Sequence, residues 1–222
     1  EGGIVSEIRV RDGDFVNAGD PLLILDNTQS LSQLEIVNAQ FAADKALEAR
    51  LIAERDDLDS VSYPPILSNS GFSASAEINA QSQIFDARRI TLQGSVEVLQ
   101  QRIGQLQSSL VGLHALKQSK EELARSYDDE LQDVRELLED GFSNRTRLRE
   151  LERNSASFKG EAAELTASIS STEIQVGETR LQILQQEKEF RNDVIGQLAE
   201  TQTRLKDSTE RINALQDIVS RK

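Results

Sequence analysis

The chain has 222 residues, 38 acidic against 25 basic, giving a net charge of -13; it is 37% hydrophobic and 4% aromatic, with no Cys, Met or Trp and one His. So little apolar material cannot fill a compact core of ordinary size, yet Leu, Ile and Val recur at regular spacing, which points to an elongated helical protein with narrow apolar seams. The missing cysteines exclude disulfides, thiolate nucleophiles and Cys-based metal sites, a lone His114 cannot build a His-rich one, the acidity argues against nucleic acid, and no run of 18 apolar residues is present to span a bilayer.

Residues 1–26 differ from all that follows. Ile4 to Val10 and Leu22 to Leu25 are short runs rich in apolar residues, separated by two turn signals, Asp12-Gly13-Asp14 and Ala18-Gly19-Asp20-Pro21. Two such strands bury too little to stand alone and need a partner sheet that this stretch does not supply. Opening at Glu1 without an initiator methionine, the chain is expected to be a piece of a longer protein.

From Asn27 the period becomes helical. Asn27 or Thr28 can cap a first helix over 27–59, in which Leu34, Val37, Phe41, Leu47, Leu51 and Leu58 keep helical spacing. Tyr63-Pro64-Pro65 and Ser68-Asn69-Ser70-Gly71 then predict a loop over 60–75, because consecutive prolines remove backbone donors and favour extended geometry.

The next segment, 76–140, carries a heptad seam. Phe85, Leu92, Val96, Leu99, Ile103, Leu106, Leu110 and Leu113 fall on three- and four-residue steps, and Ala124, Tyr127, Leu131, Val134 and Leu138 resume the register after Lys117 and Lys120. Gly94, Gly104 and Gly112 each cost about 1 kcal/mol relative to Ala inside a helix, so this helix draws its stability from a partner. At 141–144 the pattern breaks: Gly141 can end one helix, and Ser143 or Asn144 can cap the next. A turn that short makes the helix over 145–222 an antiparallel neighbour. Its seam runs from Leu148 to Val176 and continues from Val194 to Val219 in a second phase, a stutter around 179–190. The expected fold is mainly α: a long antiparallel coiled-coil hairpin with a shorter third helix at its base, plus a small β segment. Lengths at 1.5 Å per residue give a three-helix base and a two-helix spear.

Glu1-Gly2-Gly3-Ile4-Val5 followed by Arg11 to Leu22 resembles the first half of a lipoyl module, of the split kind in HlyD-family membrane fusion proteins, where a helical hairpin separates the two lipoyl halves. Tyr63-Pro64-Pro65 and Glu136-Leu137-Leu138-Glu139-Asp140-Gly141-Phe142, followed by Arg145-Thr146-Arg147-Leu148, resemble that family's type I secretion branch, the alkaline-protease-exporter-like one. The resemblance implies a periplasmic adaptor, held in the inner membrane of a Gram-negative bacterium. It would link an inner-membrane ABC transporter to a TolC-like outer-membrane channel, with six adaptors in a ring. It implies no catalysis and no cofactor. Adaptors of small-molecule efflux pumps are the alternative, and a cytoplasmic coiled-coil scaffold a remote one.

The resemblance also implies that the tip binds the channel through Arg135, Leu137, Leu138, Gly141, Phe142 and Asn144. Leu137 fits the family's Leu position. Asn144 stands where Ser or Thr is expected, and Asp133 occupies the expected Arg position, with Arg135 two residues along. Phe142 has two readings, an internal plug or a docking anchor; a two-helix tip has little interior, which favours docking. A swinging-arm carrier is disfavoured because no lysine precedes Lys45. The acidic clusters Glu121-Glu122, Asp128-Asp129-Glu130 and Glu139-Asp140 read as solvated helix faces, as does His114.

Overall fold

A computed structural model describes residues 5–68 and 72–220. Its elements in chain order are strands β1 (Val5–Ile8) and β2 (Leu23–Leu25), then helices α1 (Thr28–Arg55), α2 (Pro65–Ser68), α3 (Phe72–Glu139) and α4 (Arg145–Ser220). The fold is a long helical hairpin with a two-stranded antiparallel sheet. The chain divides into two compact units, one of residues 1–91 with 189–222 and one of Leu92–Lys188. Among the described residues no helix is long and apolar enough to cross a membrane.

In the first unit, β1 and β2 pair Val5 with Leu25, Glu7 with Ile24 and Ile8 with Leu23, with an irregularity between Val5 and Glu7. The connection is built twice from one device. In Arg11–Asp14 and again in Asn17–Asp20, the fourth residue's N–H bonds back to the first residue's carbonyl, at 3.0 and 3.1 Å. The Asp at the fourth position accepts the first residue's N–H, at 2.8 and 2.9 Å. Gly13 and Gly19 supply the positive φ that each turn requires. Ile8, Phe15, Leu22 and Leu23 stay exposed, so these apolar side chains of the sheet and its connection lie uncovered.

α1 starts where the Asp26 carboxylate accepts the Thr28 N–H at 2.9 Å; Asn27, the expected cap, makes no side-chain capping bond. The helix is shorter than the predicted 27–59. It ends at Arg55, whose guanidinium grips Asp56 through two bonds of 2.7 and 2.8 Å, and Asp57 turns left-handed at φ 52°. The Leu58 N–H then closes back on the Ala53 carbonyl at 2.9 Å, a helix-ending geometry that leaves Leu58 outside the helix.

The predicted loop over 60–75 is also corrected. Pro65 opens the one-turn α2, since the first helical position needs no N–H, and α3 begins at Phe72. Residues 69–71 of that stretch lie outside the described ones. Tyr63 pins the connection: its hydroxyl donates to the Ile78 carbonyl at 3.1 Å and pairs with the Ser82 hydroxyl at 2.9 Å.

The core of this unit is a three-helix packing. Alanines 42, 46, 49 and 53 form a close-approach ridge on α1; Ala42 and Ala46 meet Ala74 of α3 and Leu67 of α2. Leu51 packs on Val194 and Leu198 of α4, flanked by Phe190. Charges are buried here too. Arg50 donates to Gln81 of α3 at 2.8 Å and pairs with Glu54, while Arg88 of α3 reaches Glu54 at 3.2 Å and Asp193 of α4 at 2.9 Å. Arg88 also lies over the Phe190 ring, 5.0 Å from its centroid.

The second unit is a two-helix coiled coil of α3 and α4. Seam residues such as Leu99, Leu106 and Leu113 are only half-buried, as two helices allow. Further along, Leu131, Val134 and Leu151 form a buried cluster with Tyr127 and Leu148, and Tyr127 stacks on Phe158 at 5.5 Å. Along α4 the inward positions Thr179, Ile183, Gln186, Phe190, Val194, Leu198 and Thr201 take three successive four-residue steps from Gln186. That departure from alternation locally unwinds a supercoil.

Candidate functional site: the hairpin tip

The bend is closed by local hydrogen bonds on both sides. Gly141, at φ 78°, donates its N–H to the Leu138 carbonyl at 3.2 Å, and the Phe142 N–H reaches the Leu137 carbonyl at 2.8 Å. This is the paired ending that a left-handed glycine permits. On the far side Asn144 caps α4, its side-chain oxygen accepting the Arg147 N–H at 2.9 Å. An Asn therefore performs the capping at the position where Ser or Thr is expected.

The usual companion of such a helix ending is a hydrophobic contact between the two residues bridged by the longer bond, here Phe142 and Leu137. Both instead face outward, Phe142 82% exposed and Leu137 46%. Leu138 is half-buried on the seam side. The exposure of Phe142 does not fit the plug reading: the ring stands in solvent on the bend.

Two ion pairs brace the bend across the helices. Arg135 bonds to Glu152 at 3.2 Å, and Arg147 pairs with Glu130 on α3 and with Glu150 one turn along its own helix at 3.3 Å. The Glu130 carboxylate, then Glu150, hold the Arg147 guanidinium above its ordinary pKa. Further from the tip, Asp128 accepts from Lys159 at 2.9 Å and from Ser155 at 2.6 Å, and these bonds lower its pKa. Lys120 lies over the Phe158 ring and pairs with Glu161 at 2.7 Å, lowering the Glu161 pKa.

Arg135, taken from sequence as a channel contact, is thus already engaged within the hairpin. Leu137, Phe142, Gly141 and Asn144 are brought together on the bend. The bracing role of Arg147 and Glu130 was missed by the heptad reading. Its signal was present: opposite charges flanking the seam on either side of a four-residue turn. His114 is exposed, and among the described residues no group of acidic or histidine side chains could hold a metal ion.

The structure is a long helical hairpin that ends in a tight bend carrying exposed apolar side chains. Over residues 30–218 the chain matches the family described as AprE, long alpha-helical hairpin, and it belongs to that family. It is 30% identical over 222 residues to the type I secretion system membrane fusion protein PrsE of Rhizobium meliloti (strain 1021), covering 99% of this chain and 51% of that protein. It is 29% identical over 215 residues to the alkaline protease secretion protein AprE of Pseudomonas aeruginosa, covering 96% and 50%. The soluble domain of LipC, a membrane fusion protein of a type I secretion system, superposes with a TM-score of 0.92 at 29% identity, over 98% of this chain and 83% of that one. The chain spans about half the length of the curated relatives PrsE and AprE.

Proposed function

We propose that this chain is the hairpin portion of a periplasmic adaptor of type I secretion, a binding and bridging protein without catalysis. The full-length protein is anchored in the inner membrane, joins an ABC transporter there to a TolC-like outer-membrane channel, and self-associates in a ring of six. Its tip meets the channel through Arg135, Leu137, Leu138, Gly141, Phe142 and Asn144, Arg135 also pairing with Glu152 within the hairpin. Residues 1–26 are the first half of a lipoyl-like domain; the uncovered side chains of Ile8, Phe15 and Leu23 suit a second half packed on them.

The observation that carries this reading is Phe142: a large aromatic ring held 82% exposed on a bend closed by the Gly141 and Phe142 N–H bonds. Exposed apolar groups on a rigid turn are what a partner's surface can bury, and aromatic anchors commonly contribute about 2 kcal/mol or more each. Phe142→Asp should abolish export and crosslinking to the channel in cells carrying the complete secretion system. Gly141→Pro removes a bonded N–H and the left-handed turn, with the same outcome. Helix content by circular dichroism should be unchanged in both. Normal export by both variants would overturn the proposal.

A further inference from the structure

The two helix ends that meet at the bend carry charges of the sign their own backbones disfavour. A helix gathers partial positive charge at its first turn and partial negative charge at its last, from N–H and C=O groups left without intrahelical partners. Acids therefore suit the start and bases the finish. α3 ends in Glu136-Leu137-Leu138-Glu139, with Asp140 directly after, and has no basic residue in its last turn. α4 opens with Arg145-Thr146-Arg147-Leu148, with Arg149 next, and has no acidic residue in its first turn. At both ends the layout is the reverse of the stabilising one.

Partners within the chain do not explain it. Arg147 is held by Glu130 and Glu150, and Arg135 by Glu152. Among the described residues Glu136, Glu139, Asp140, Arg145 and Arg149 form no ion pair, and all five are exposed. Arg145 and Arg149 stand four residues apart on one helix face, where like charges repel each other as well as the dipole; Glu136 and Asp140 repeat the spacing at the end of α3. The opposite end of the neighbouring helix lies about 8–10 Å off at an ordinary helix spacing, farther than the terminal charges are from their own helix ends. It offsets the conflict only in part.

Charges set against local stability and left uncompensated in solvent mark residues kept for something outside the chain. These coincide with the apolar anchors: Leu137 lies between Glu136 and Glu139 in the chain, and Phe142 between Asp140 and Arg145. The tip is polarised across its short axis, negative where α3 ends and positive where α4 begins, with the exposed ring on the turn that joins them.

We propose that this polarity sets the orientation in which the tip docks. The outer-membrane channel presents bases to Glu136, Glu139 and Asp140 and acids to Arg145 and Arg149, around the surface that buries Phe142. A hairpin turned half a revolution about its long axis then meets like charge and is rejected. The two arginines suit the role, since a guanidinium matches a carboxylate in both charge and shape. The inference rests on the adaptor reading given above and names the chemistry of the partner at that same tip.

The test uses the full-length protein in cells carrying the complete secretion system, with Thr146→Cys at the exposed start of α4 bearing a photoactivatable crosslinker. Arg145→Glu with Arg149→Glu should cut both export and crosslinking to the channel roughly tenfold, and Glu136→Arg with Glu139→Arg should do the same. The melting temperature of the purified full-length protein should hold or rise in both pairs, because each reversal gives a helix end the charge its dipole favours. Residues kept for folding alone would show lost stability or unchanged export. The neutral pair Arg145→Gln with Arg149→Gln should lose less than the reversed pair, since it removes attraction without adding repulsion. Export and crosslinking at the parent level in both reversed pairs, or crosslinks from position 146 to a second copy instead of the channel, would overturn the polarity. The adaptor reading would still stand if Phe142→Asp remained defective in the same cells. Normal export by Phe142→Asp and Gly141→Pro as well would take that reading down too.

Discussion

Unit one and unit two use the same two long helices in different company. Where α1 joins them, the seam becomes a true interior: Leu51, Ala46 and Val194 lose all contact with water, and Arg50 and Glu54 are buried with them. Where α3 and α4 run as a pair, seam leucines such as Leu106 remain half-exposed, and ion pairs across the helices, Lys120–Glu161, Lys159–Asp128 and Arg147–Glu130, line its flanks. A third helix therefore changes the currency of stability, from flanking charge pairs screened by solvent to burial that tolerates no unpaired group.

The sharpest way to break that contrast is Glu54→Ala. It leaves Arg50 buried without its carboxylate and should destabilise the first unit by about 3–5 kcal/mol, read as a lowered urea midpoint. Replacing Arg50 and Glu54 together by Met and Leu should be close to neutral. If the single variant were as stable as the parent, the buried network would not be holding α1.

Next in size is a matched pair of truncations. Leu51→Ala, in the dry interior, should cost about 2–5 kcal/mol; Leu106→Ala, on the half-open seam, should cost clearly less, because water already reaches it. Equal losses in thermal melts would erase the distinction between the units. Asn144→Ala should cost about 1 kcal/mol by leaving the Arg147 N–H without its cap, measured by hydrogen exchange at the start of α4.

The smallest expected effect is acid sensitivity. Lys159 and Ser155 depress the Asp128 pKa, and Lys120 that of Glu161. A folded pKa below the unfolded one gives stability that is fully present above the ordinary carboxylate range and is lost as pH falls through the folded value. The coiled coil should therefore loosen below about pH 4. Removing Lys159 should shrink that dependence, and an unchanged acid profile in Lys159→Ala would sink the assignment.

How far the sequence carried depends on what kind of contact each element makes. The seams of α3 and α4 and the bend at Gly141 were legible because a repeating apolar pattern and one glycine encode them locally. The end of α1 was not: Leu58 keeps helical spacing, and the interruption comes from the Arg55–Asp56 grip and the left-handed Asp57. The prolines were over-read, since Pro65 at a first helical position starts a turn instead of preventing one. The Arg50–Glu54–Arg88 network was invisible because charged residues look like surface, and only packing of distant segments buries them. At the tip, Gly141 and Asn144 were readable as turn chemistry. That Arg135 is occupied by Glu152 required knowing which residues the bend places opposite.

The self-closed bend has a consequence for the conditions under which its end can hold on to anything. An aromatic ring and a leucine protrude there beside the exposed Glu139 and Asp140, and the part of a grip made through the oily groups does not fade as dissolved ions accumulate. In brine, where attraction between opposite charges along the helix flanks is damped, the apolar part of that surface would keep whatever hold it has.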